Sequence, residues 1–302
     1  MKKVIIAGGS GFIGKKLSDH YNAKGYEVVI LTRKENCEES GIRYVNWDAK
    51  NIGPWSKELE GASILINMVG RSVDCRYNKK NKKLIYESRI DSTRILGKAV
   101  NNVLNPPVIW LNSSSATIYR HAEDRQMDEA NGDIGEGFSV DVCNKWEEAF
   151  FDCQTPKTRK VALRSSIVLG KNGGALKPLI NLTKIGLGGY QGSGKQYFSW
   201  IHEDDLIAAI DFICNHKDIQ GAVNIASPYP ETNNKLMYLL RKSLKVPFGI
   251  PMPKFLLEFG ALIINTETEL ILKSRNVIPG TLLTNGFEFK YPKLDQALDQ
   301  LI

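Results

Sequence analysis

Residues 3–14, KVIIAGGSGFIG, form the stretch that determines the fold. Lys3–Ala7 is a short apolar run followed by glycines, which predicts a strand buried on both faces of a parallel sheet. A helix is predicted over Gly11–Ala23 because apolar residues recur there with helical spacing, and Gly25 follows as its C-terminal cap. A strand, a glycine-rich turn and a helix in this order predict the first crossover unit of an α/β domain.

The alternation of strand and helix continues to about residue 170. The predicted strands are Glu27–Leu31, Ile42–Val45, Ser63–Met68, Val108–Leu111 and Lys160–Arg164, and the predicted helices are Lys82–Val103 and Val140–Cys153. Strands that alternate with helices form crossover units, and crossover units build a parallel sheet. We therefore predict an α/β fold with a doubly wound parallel sheet, the Rossmann fold, as a domain over residues 1–170.

After about Gly170 the composition changes, because glycine and proline become frequent and the predicted elements become shorter. The predicted helices are Asp204–Asn215, Thr232–Lys242 and Lys254–Ile264, and Val223–Ile225 is a predicted strand that returns to the sheet. We predict that residues 171–302 form a smaller mixed lobe on the substrate side. Its glycine-rich segment Gly186–Gly194 is either a lid over the site or an irregular connection.

The overall composition is typical of a globular protein, with 302 residues, 42% hydrophobic and 24% charged. No apolar run approaches the ~18 residues of a membrane span, and a strand that starts at Lys3 leaves no room for a signal peptide. We therefore expect a cytoplasmic protein without a membrane partner. The five cysteines are scattered and include no C-x-x-C pair, which predicts reduced thiols and no metal site.

The net charge is +7, and part of it is concentrated in one stretch. The cations of that stretch are Arg71, Arg76, Lys79, Lys80, Lys82, Lys83 and Arg89. They form either a solvated helix face or a surface that attracts an anion, such as a cofactor phosphate or an acidic substrate. Nucleic acid is not favoured as a partner, because one basic stretch without a recognised module is not a nucleic-acid footprint.

The loop between the first strand and the first helix has the spacing G-x-x-G-x-x-G. Gly8 would allow a tight turn, Gly11 would let the backbone approach a pyrophosphate, and Gly14 would let the helix pack closely on the sheet. Free N–H groups at the start of the helix would then face the phosphate charge. We predict a dinucleotide site; its residues in this loop are Gly8, Ser10, Gly11, Phe12, Ile13 and Gly14.

The end of the second strand indicates which dinucleotide is bound. An NAD enzyme usually places Asp or Glu there to accept a hydrogen bond from the ribose 2′-OH, whereas this chain has Thr32-Arg33-Lys34. Two cations can pair with a 2′-phosphate, and Arg33 can also stack on the adenine. The cofactor is therefore predicted to be NADP(H), with Thr32 and Arg33 in its site. Asp48 is either an acceptor for the adenine amino group or a turn aspartate.

Further cofactor contacts are expected at the carboxyl edge of the sheet, where ligands of such sheets bind. The segment Asn67-Met68-Val69-Gly70 ends the fourth strand, and its backbone is predicted to line the middle of the cofactor. Arg89 on the following helix either reaches a cofactor phosphate or lies on an exposed face. Val168 either contacts the nicotinamide or belongs to the core.

Several motifs resemble, in order, those of the extended short-chain dehydrogenase/reductase superfamily. They are Gly8–Gly14, Asn67–Gly70, Ser113–Tyr119 and Trp200–Asp205. A narrower resemblance covers essentially the whole chain and is to an atypical subgroup known as epimerase family proteins, sometimes as cell-division inhibitors, which ends in a small domain of unknown function. The segments that carry it are 164–170, 173–176, 186–189, 192–196, 199–202, 277–279 and 286–292.

The chain departs from the superfamily at the catalytic pair. The superfamily uses Tyr-x-x-x-Lys on the helix after the fifth strand, where lysine lowers the tyrosine pKa and tyrosine exchanges a proton with substrate. That helix contains no tyrosine here, and the two positions hold Ser139 and Cys143, or Phe138 and Val142 if the alignment shifts by one residue. The Tyr-x-x-x-Lys at Tyr238 lies far along the second lobe and is interpreted as chance.

The resemblance also suggests which residues remain for catalysis. Ser115 occupies the position of the substrate-binding serine or threonine and either polarises a carbonyl or caps a strand end. Tyr119 is either a substitute proton donor or a packing residue. The resemblance implies a homodimer through the helices Lys82–Val103 and Val140–Cys153. Two functions stay open: an NADP(H)-dependent oxidoreductase or epimerase acting on an unknown small molecule, and a non-catalytic NADP(H)-binding sensor or regulator.

Overall fold

The computed structural model describes residues 2–263 and 267–302. The strands in these ranges are β1 (Lys3–Ala7), β2 (Glu27–Thr32), β3 (Cys37–Glu39), β4 (Ile42–Asn46), β5 (Ile64–Asn67), β6 (Ile109–Ser115), β7 (Arg159–Ser165), β8 (Ile167–Gly170), β9 (Gly173–Gly174), β10 (Tyr197–Phe198), β11 (Trp200–His202), β12 (Gly221–Ile225) and β13 (Glu231–Thr232). The helices are α1 (Phe12–Ala23), α2 (Lys79–Asn102), α3 (Phe138–Phe151), α4 (Leu176–Leu182), α5 (Glu203–Asn215), α6 (Asn233–Ser243), α7 (Lys254–Ile263), α8 (Glu269–Leu272), α9 (Gly280–Thr284) and α10 (Leu294–Leu301). The predicted end of α7 at residue 264 lies outside the described residues.

The main sheet has eight strands in the order β12-β7-β6-β5-β1-β2-β4-β3. All neighbours are parallel except β3, which pairs antiparallel with β4 at the edge. The chain winds outward from β1 in one direction to β2 and β4, and in the other direction to β5, β6, β7 and β12. This is a doubly wound sheet, so the predicted Rossmann fold is confirmed. The point where the strand order reverses, between β1 and β5, is where such sheets bind ligands.

Both faces of the main sheet are covered by helices. Alternate residues of β1 point to opposite faces, so that Val4 joins one buried cluster with α1 and α5, and Ile5 joins another with α2 and α3. All four residues from Val4 to Ala7 are fully buried. This two-sided burial explains why the strand is a continuous apolar run and does not alternate between apolar and polar residues.

The second lobe shares the core of the first. Strand β12 pairs with β7 in the main sheet, and α5, Leu282 and Phe287 belong to the same buried cluster as β1. The core therefore crosses the predicted boundary at residue 170. A separate cluster under β8 and β11 includes Trp200 and Leu236. Two small sheets complete this lobe, with β8 between β11 and β9, and with β10 paired to β13.

Helices α2 and α3 lie next to each other on one face of the main sheet. Buried residues of both helices, such as Leu96 and Phe150, pack in one cluster against the strands. The homodimer expected through these helices stays a prediction. Within residues 2–263 and 267–302, no helix has the length and apolar character that crossing a membrane requires.

Candidate functional site

The glycine-rich loop is packed tightly between the sheet and α1. Gly8 has a φ of +75°, and a Cβ there would lie 3.1 Å from backbone atoms of Met68 and Val69. A Cβ on Gly14 would lie 2.5 Å from the Cα of Gly9. Gly14 thus lets the helix start against the loop, whereas we expected it to let the helix pack on the sheet.

Gly9 is a residue of this loop that the sequence reasoning left out of the predicted site. A Cβ on Gly9 would lie 3.0 Å from Ile6 and 3.2 Å from Ile30, so this glycine is what seats the loop on the sheet. The doublet Gly8-Gly9 in the sequence was the signal that could have identified it. A side chain here would push Ile6 and Ile30 aside by a few tenths of an ångström, which favours glycine at this position.

Gly11 presents an open cradle at the start of α1. A Cβ on Gly11 would meet no atom within 4 Å, and Gly11 is the N-terminal cap of α1 without a side-chain hydrogen bond to the first turn. The first N–H groups of an uncapped helix carry partial positive charge and need acceptors. This combination of open space and free donors fits a pyrophosphate, and Ser10 beside it is exposed.

The side chains of Phe12 and Ile13 point away from this cradle. The ring of Phe12 lies 2.2 Å from the position of a Cβ on Gly170 and 2.4 Å from one on Gly173, so it fills the gap under the β8–β9 hairpin. Ile13 packs against the main core. Both residues therefore offer their backbone, and not their side chains, to a ligand at the predicted site.

The end of β2 carries two exposed cations. Arg33 and Lys34 are exposed, whereas Thr32 is 6% exposed and its Oγ1 accepts a hydrogen bond of 3.3 Å from the Lys34 amide. Asn46 on β4 donates through Nδ2 to the Lys34 carbonyl at 2.9 Å, which holds the loop in place. Arg33 makes no ion pair with any carboxylate in the described part of the chain, so its charge is available to an anion.

Asp48 closes a turn. Its carboxylate accepts hydrogen bonds from the amides of Asn51 and Lys50, each at 2.9 Å, and from the Asn51 side chain at 2.7 Å. The Asn51 and Lys50 amides and the Asn51 side chain lower the pKa of Asp48 to about 2. These bonds favour the turn interpretation over the adenine acceptor, which stays a prediction.

The segment 67–70 is held at the sheet edge by a buried amide. Asn67 is fully buried, and its Nδ2 donates to Asn112 at 2.7 Å and to Thr93 at 3.2 Å, while its Oδ1 accepts from the Val69 amide at 3.1 Å. The Asn67 side chain is therefore committed inside the protein and positions the turn. Backbone atoms of Met68, Val69 and the exposed Gly70 remain as the predicted cofactor contacts.

Arg89 points inward to this turn. Its guanidinium carbon lies 3.2 Å from the position of a Cβ on Gly70 and 5.0 Å from the ring of Trp146. Its Nη1 donates to the Ile85 carbonyl at 3.1 Å, and burial lowers its pKa. Arg89 is half-buried, so the structure favours an inward position over an exposed helix face, and its contact with a cofactor phosphate stays a prediction.

Val168 is 8% exposed and packs in the main core cluster with Ile201. The structure thus gives it the core role, and the predicted nicotinamide contact stays a prediction.

Ser115 is half-buried, and its Oγ accepts a 3.2 Å hydrogen bond from the Thr117 amide, which caps the short helical turn Ala116–Ile118. Its hydroxyl hydrogen remains available to a substrate oxygen.

Tyr119 is packed as a structural residue. It is 2% exposed, its hydroxyl donates to Asn224 at 3.0 Å, and it accepts from Arg164 at 2.9 Å. Burial raises its pKa. Because both hydrogen-bonding functions of the phenol are used inside the protein, we assign Tyr119 to packing and not to proton donation.

Arg164 also pairs with a glutamate of α3. Its Nη2 and Nε donate to the two carboxylate oxygens of Glu147 at 2.8 and 2.9 Å, and Ser114 donates to the same carboxylate at 2.5 Å. The side chains of Arg164 and Glu147 are 12% and 10% exposed. A bidentate pair of this kind ties α3 to β6 and β7 beside the predicted active-site face.

That face of α3 carries neither a phenol nor an ammonium. Ser139 donates to Glu269 Oε2 at 2.9 Å. Cys143 is 4% exposed, and burial raises the pKa of its thiol to about 12. A neutral buried thiol does not supply the positive charge that the lysine of the superfamily supplies, and the loss of the catalytic pair stays a prediction from the sequence.

Two cations of the C-terminal region, Lys273 and Arg275, contact Thr117 in the turn after β6. The sequence analysis predicts neither contact. Lys273 donates through Nζ to the Thr117 carbonyl at 2.7 Å, and Arg275 donates through Nε to Thr117 Oγ1 at 3.0 Å. Burial and the nearby Arg275 lower the pKa of Lys273 to about 8. No local pattern signals these contacts, because they join residues more than 150 positions apart.

We expect Lys273 to make the protein more stable as the pH rises from about 8 to 10.5. Its pKa is 10.5 in the unfolded chain and about 8 in the fold, so the unfolded chain binds more protons in this window. The destabilisation from its buried charge is full below about pH 8 and declines as the pH rises to about 10.5. Urea denaturation of wild type and Lys273→Met should show wild type gaining on the variant between these limits. A difference that does not change with pH would contradict this.

Comparison with known proteins agrees with this geometry. Residues 4–136 match the NAD dependent epimerase/dehydratase family, and residues 252–301 match a Domain of unknown function (DUF1731). An epimerase family protein of Staphylococcus epidermidis is 31% identical over 303 residues, covering 100% of this chain and 99% of the relative. One of Staphylococcus saprophyticus is 33% identical over 304 residues, covering 100% of each.

Solved structures give the same result. Human epimerase family protein SDR39U1 with NADPH is similar with a TM-score of 0.87 and 29% identity, covering 99% of this chain and 98% of that one. A nucleoside-diphosphate sugar epimerase from Corynebacterium glutamicum has a TM-score of 0.80 and 27% identity, covering 99% of this chain and 58% of that one. This chain therefore belongs to the epimerase family, in which an NAD-dependent epimerase/dehydratase domain of the extended short-chain dehydrogenase/reductase type is followed by DUF1731.

Proposed function

We propose that this protein binds NADP(H) along the carboxyl edge of the main sheet and transfers hydride between the cofactor and a carbonyl or hydroxyl carbon of a small molecule. The observation that carries the proposal is the open cradle at Gly11, at the uncapped start of α1. The exposed Arg33, which no described carboxylate neutralises, lies at the end of the next strand. The human relative with NADPH supports the phosphorylated cofactor.

Each part of the cofactor has residues suited to it. The backbone of 8–14 would hold the pyrophosphate, since its glycines leave room and α1 supplies free N–H groups. Arg33 would pair with the 2′-phosphate, because a guanidinium binds phosphate with two parallel hydrogen bonds. The turn 68–70 would line the middle section. When bound, the cofactor supplies or accepts the hydride.

Ser115 is the residue we propose to orient the substrate. It is half-buried at the end of β6, next to the predicted cofactor turn through the pairing of β6 with β5. Its Oγ accepts a hydrogen bond from the Thr117 amide, so the hydroxyl hydrogen of Ser115 can be donated to a substrate oxygen. This polarises a carbonyl and makes its carbon a better hydride acceptor.

A second candidate is a non-catalytic NADP(H)-binding sensor or regulator. The observation that favours it is the face of α3, where Ser139 is bonded to Glu269 and Cys143 is a buried neutral thiol. The two candidates differ in one measurement. A catalyst oxidises NADPH in the presence of some carbonyl compound, whereas a sensor binds NADPH and leaves it unreacted with every compound tested.

The cofactor proposal is tested by titrating the protein with NADPH and NADH and following nicotinamide fluorescence. We expect NADPH to bind more tightly than NADH. The Arg33→Ala variant should bind NADPH about 10- to 100-fold more weakly than wild type, because a hydrogen bond to a charged group contributes ~1.5–3 kcal/mol. NADH affinity should change much less in this variant, because NADH lacks the 2′-phosphate. The matched control is Arg94→Ala, which removes another exposed arginine, in the C-terminal half of α2. It should leave the affinities for NADPH and NADH unchanged.

Each outcome of this titration has a definite meaning. Equal affinity for NADPH and NADH would refute the role of Arg33 in binding a 2′-phosphate. Binding of neither cofactor would refute the proposed function as a whole.

A further inference from the structure

Tyr77 lies beside the face of α3 that lacks its catalytic pair. Its ring packs edge-to-face on Phe138, with 4.7 Å between the ring centroids. Phe138 directly precedes Ser139, which stands where the superfamily pattern has its tyrosine. A phenol from the loop before α2 is thus placed next to the position that the helix leaves without one.

The hydroxyl of Tyr77 is buried, and within residues 2–263 and 267–302 no group is placed for a well-formed hydrogen bond to it, although the Ser139 hydroxyl is near enough to lower its pKa. Buried polar groups are almost always bonded, so an exception calls for an explanation, and a catalytic role is one. Tyr119, the phenol nearest in sequence to Ser115, is the opposite case, because its hydroxyl makes two hydrogen bonds inside the protein. Of these two phenols, only Tyr77 has a hydroxyl that makes no well-formed hydrogen bond in the described part of the chain.

Two guanidinium groups interact electrostatically with this phenol. Arg89 lies against the predicted cofactor turn at Gly70 and over the ring of Trp146, and it forms no ion pair with a carboxylate that the structure describes. Burial lowers the pKa of Arg89 and of Arg275, and Tyr77 raises the pKa of each. These cations would stabilise a phenolate at Tyr77.

Two carboxylates of the C-terminal region hold this arrangement together. Glu267 accepts a 2.7 Å hydrogen bond from the Tyr77 amide, and Glu269 accepts one of 2.9 Å from Ser139. Burial first, and then Glu269 and Glu267, keep the pKa of Tyr77 above its ordinary value, although Ser139 acts in the other direction. The phenol is therefore protonated at neutral pH, the state that a proton donor requires.

We propose that Tyr77 is the proton donor of this site and that Arg89 supplies the positive charge that the absent lysine would supply. This inference rests on the proposed function. As the carbonyl carbon of the substrate gains a hydride from the reduced nicotinamide, the π pair of the C=O bond moves to oxygen and takes the proton of Tyr77. The O–H bond of Tyr77 breaks, and its phenolate, held beside Arg89, regains a proton from water. The reverse sequence oxidises an alcohol.

The test is fluorine NMR of the full chain labelled with fluorotyrosine. The resonance that Tyr77→Phe removes belongs to Tyr77. If that variant does not fold, Ser139→Ala identifies the same resonance by perturbing its neighbour. The control is Tyr238, a tyrosine 51% exposed on α6. Spectra are recorded with no ligand, with NADPH, with NADP⁺, and with 2′-phospho-ADP-ribose, which has every part of the cofactor except the nicotinamide.

We expect NADPH to shift the Tyr77 resonance and 2′-phospho-ADP-ribose to leave it unchanged. In pH titrations, the midpoint for Tyr77 should be at least about one pH unit lower with NADP⁺ than with NADPH, because a positive ring within ~4–6 Å favours the phenolate. Tyr238 should respond to no ligand. If NADPH binds and the Tyr77 resonance and midpoint do not change, Tyr77 is not the donor, although the cofactor proposal survives. If NADPH does not bind, both proposals fail.

Discussion

Gly11→Ala is expected to weaken NADPH binding at least 100-fold and to leave the stability of the protein unchanged. A methyl group on Gly11 meets no protein atom within 4 Å, and the backbone there, with φ of −82° and ψ of 177°, suits alanine. We therefore expect the free energy of unfolding to stay the same in this variant. The same methyl group would occupy the space that the pyrophosphate needs, and it would hold the phosphate away from the N–H groups of α1.

Gly14→Ala is the matched control for this result. Its methyl group would lie 2.5 Å from the Cα of Gly9, so the helix and the loop must move apart. We expect this variant to lose about 1–3 kcal/mol of stability, as is typical of overpacking, together with cofactor affinity. Fluorescence titration and thermal melting of both variants check the contrast. NADPH binding by Gly11→Ala at wild-type strength would show that the pyrophosphate does not bind at this cradle.

The second large effect is expected at the buried ion pair, where Glu147→Ala should lower the free energy of unfolding by about 3–5 kcal/mol. The variant leaves Arg164 buried and without its carboxylate, and Ser114 loses an acceptor as well. The cost comes mainly from the uncompensated charge. Urea denaturation at neutral pH measures it.

Two controls separate this cost from the removal of any acidic residue. Asp124→Ala breaks an ion pair with Arg120 in which the Asp124 side chain is 60% exposed, and we expect little change in stability because water replaces the partner. The double variant Glu147→Leu/Arg164→Met removes both charges and should recover most of the stability. A loss in the double variant as large as in Glu147→Ala would contradict the explanation by an unpaired charge.

Most strands of the main sheet could be predicted from the sequence because they contain a short apolar run that is buried on both faces. Strand β3 was missed for the complementary reason. Its three residues Cys37–Glu39 are all exposed and carry two carboxylates, so the strand leaves no hydrophobic signal. It forms only because it pairs with β4 at the sheet edge. The same limit applies to β9, which has two glycines and no side chain to identify it.

The candidate site shows the same division. The glycine loop and Arg33 are local patterns next to strands that the sequence identifies, so their position at the sheet edge follows from the topology. Arg89 left two interpretations open, since helix geometry alone does not say which face is covered. Tyr119 was proposed for its closeness in sequence to Ser115, but β12 brings Asn224 to its hydroxyl and makes it structural.

The sequence by itself therefore determined the doubly wound sheet, the glycine-rich loop after β1 and the two cations at the end of β2, and it predicts that the usual catalytic pair is missing. These features depend on periodicity and on neighbours within about ten residues. Only the tertiary structure decided what surrounds the face of α3 that carries Ser139 and Cys143. Tyr77, Arg89 and Lys273 come from three separate segments, and Glu267, which holds Tyr77, is 190 residues away from it in the chain. Contacts of this kind depend on how the C-terminal region packs on the sheet, and no local pattern records that packing.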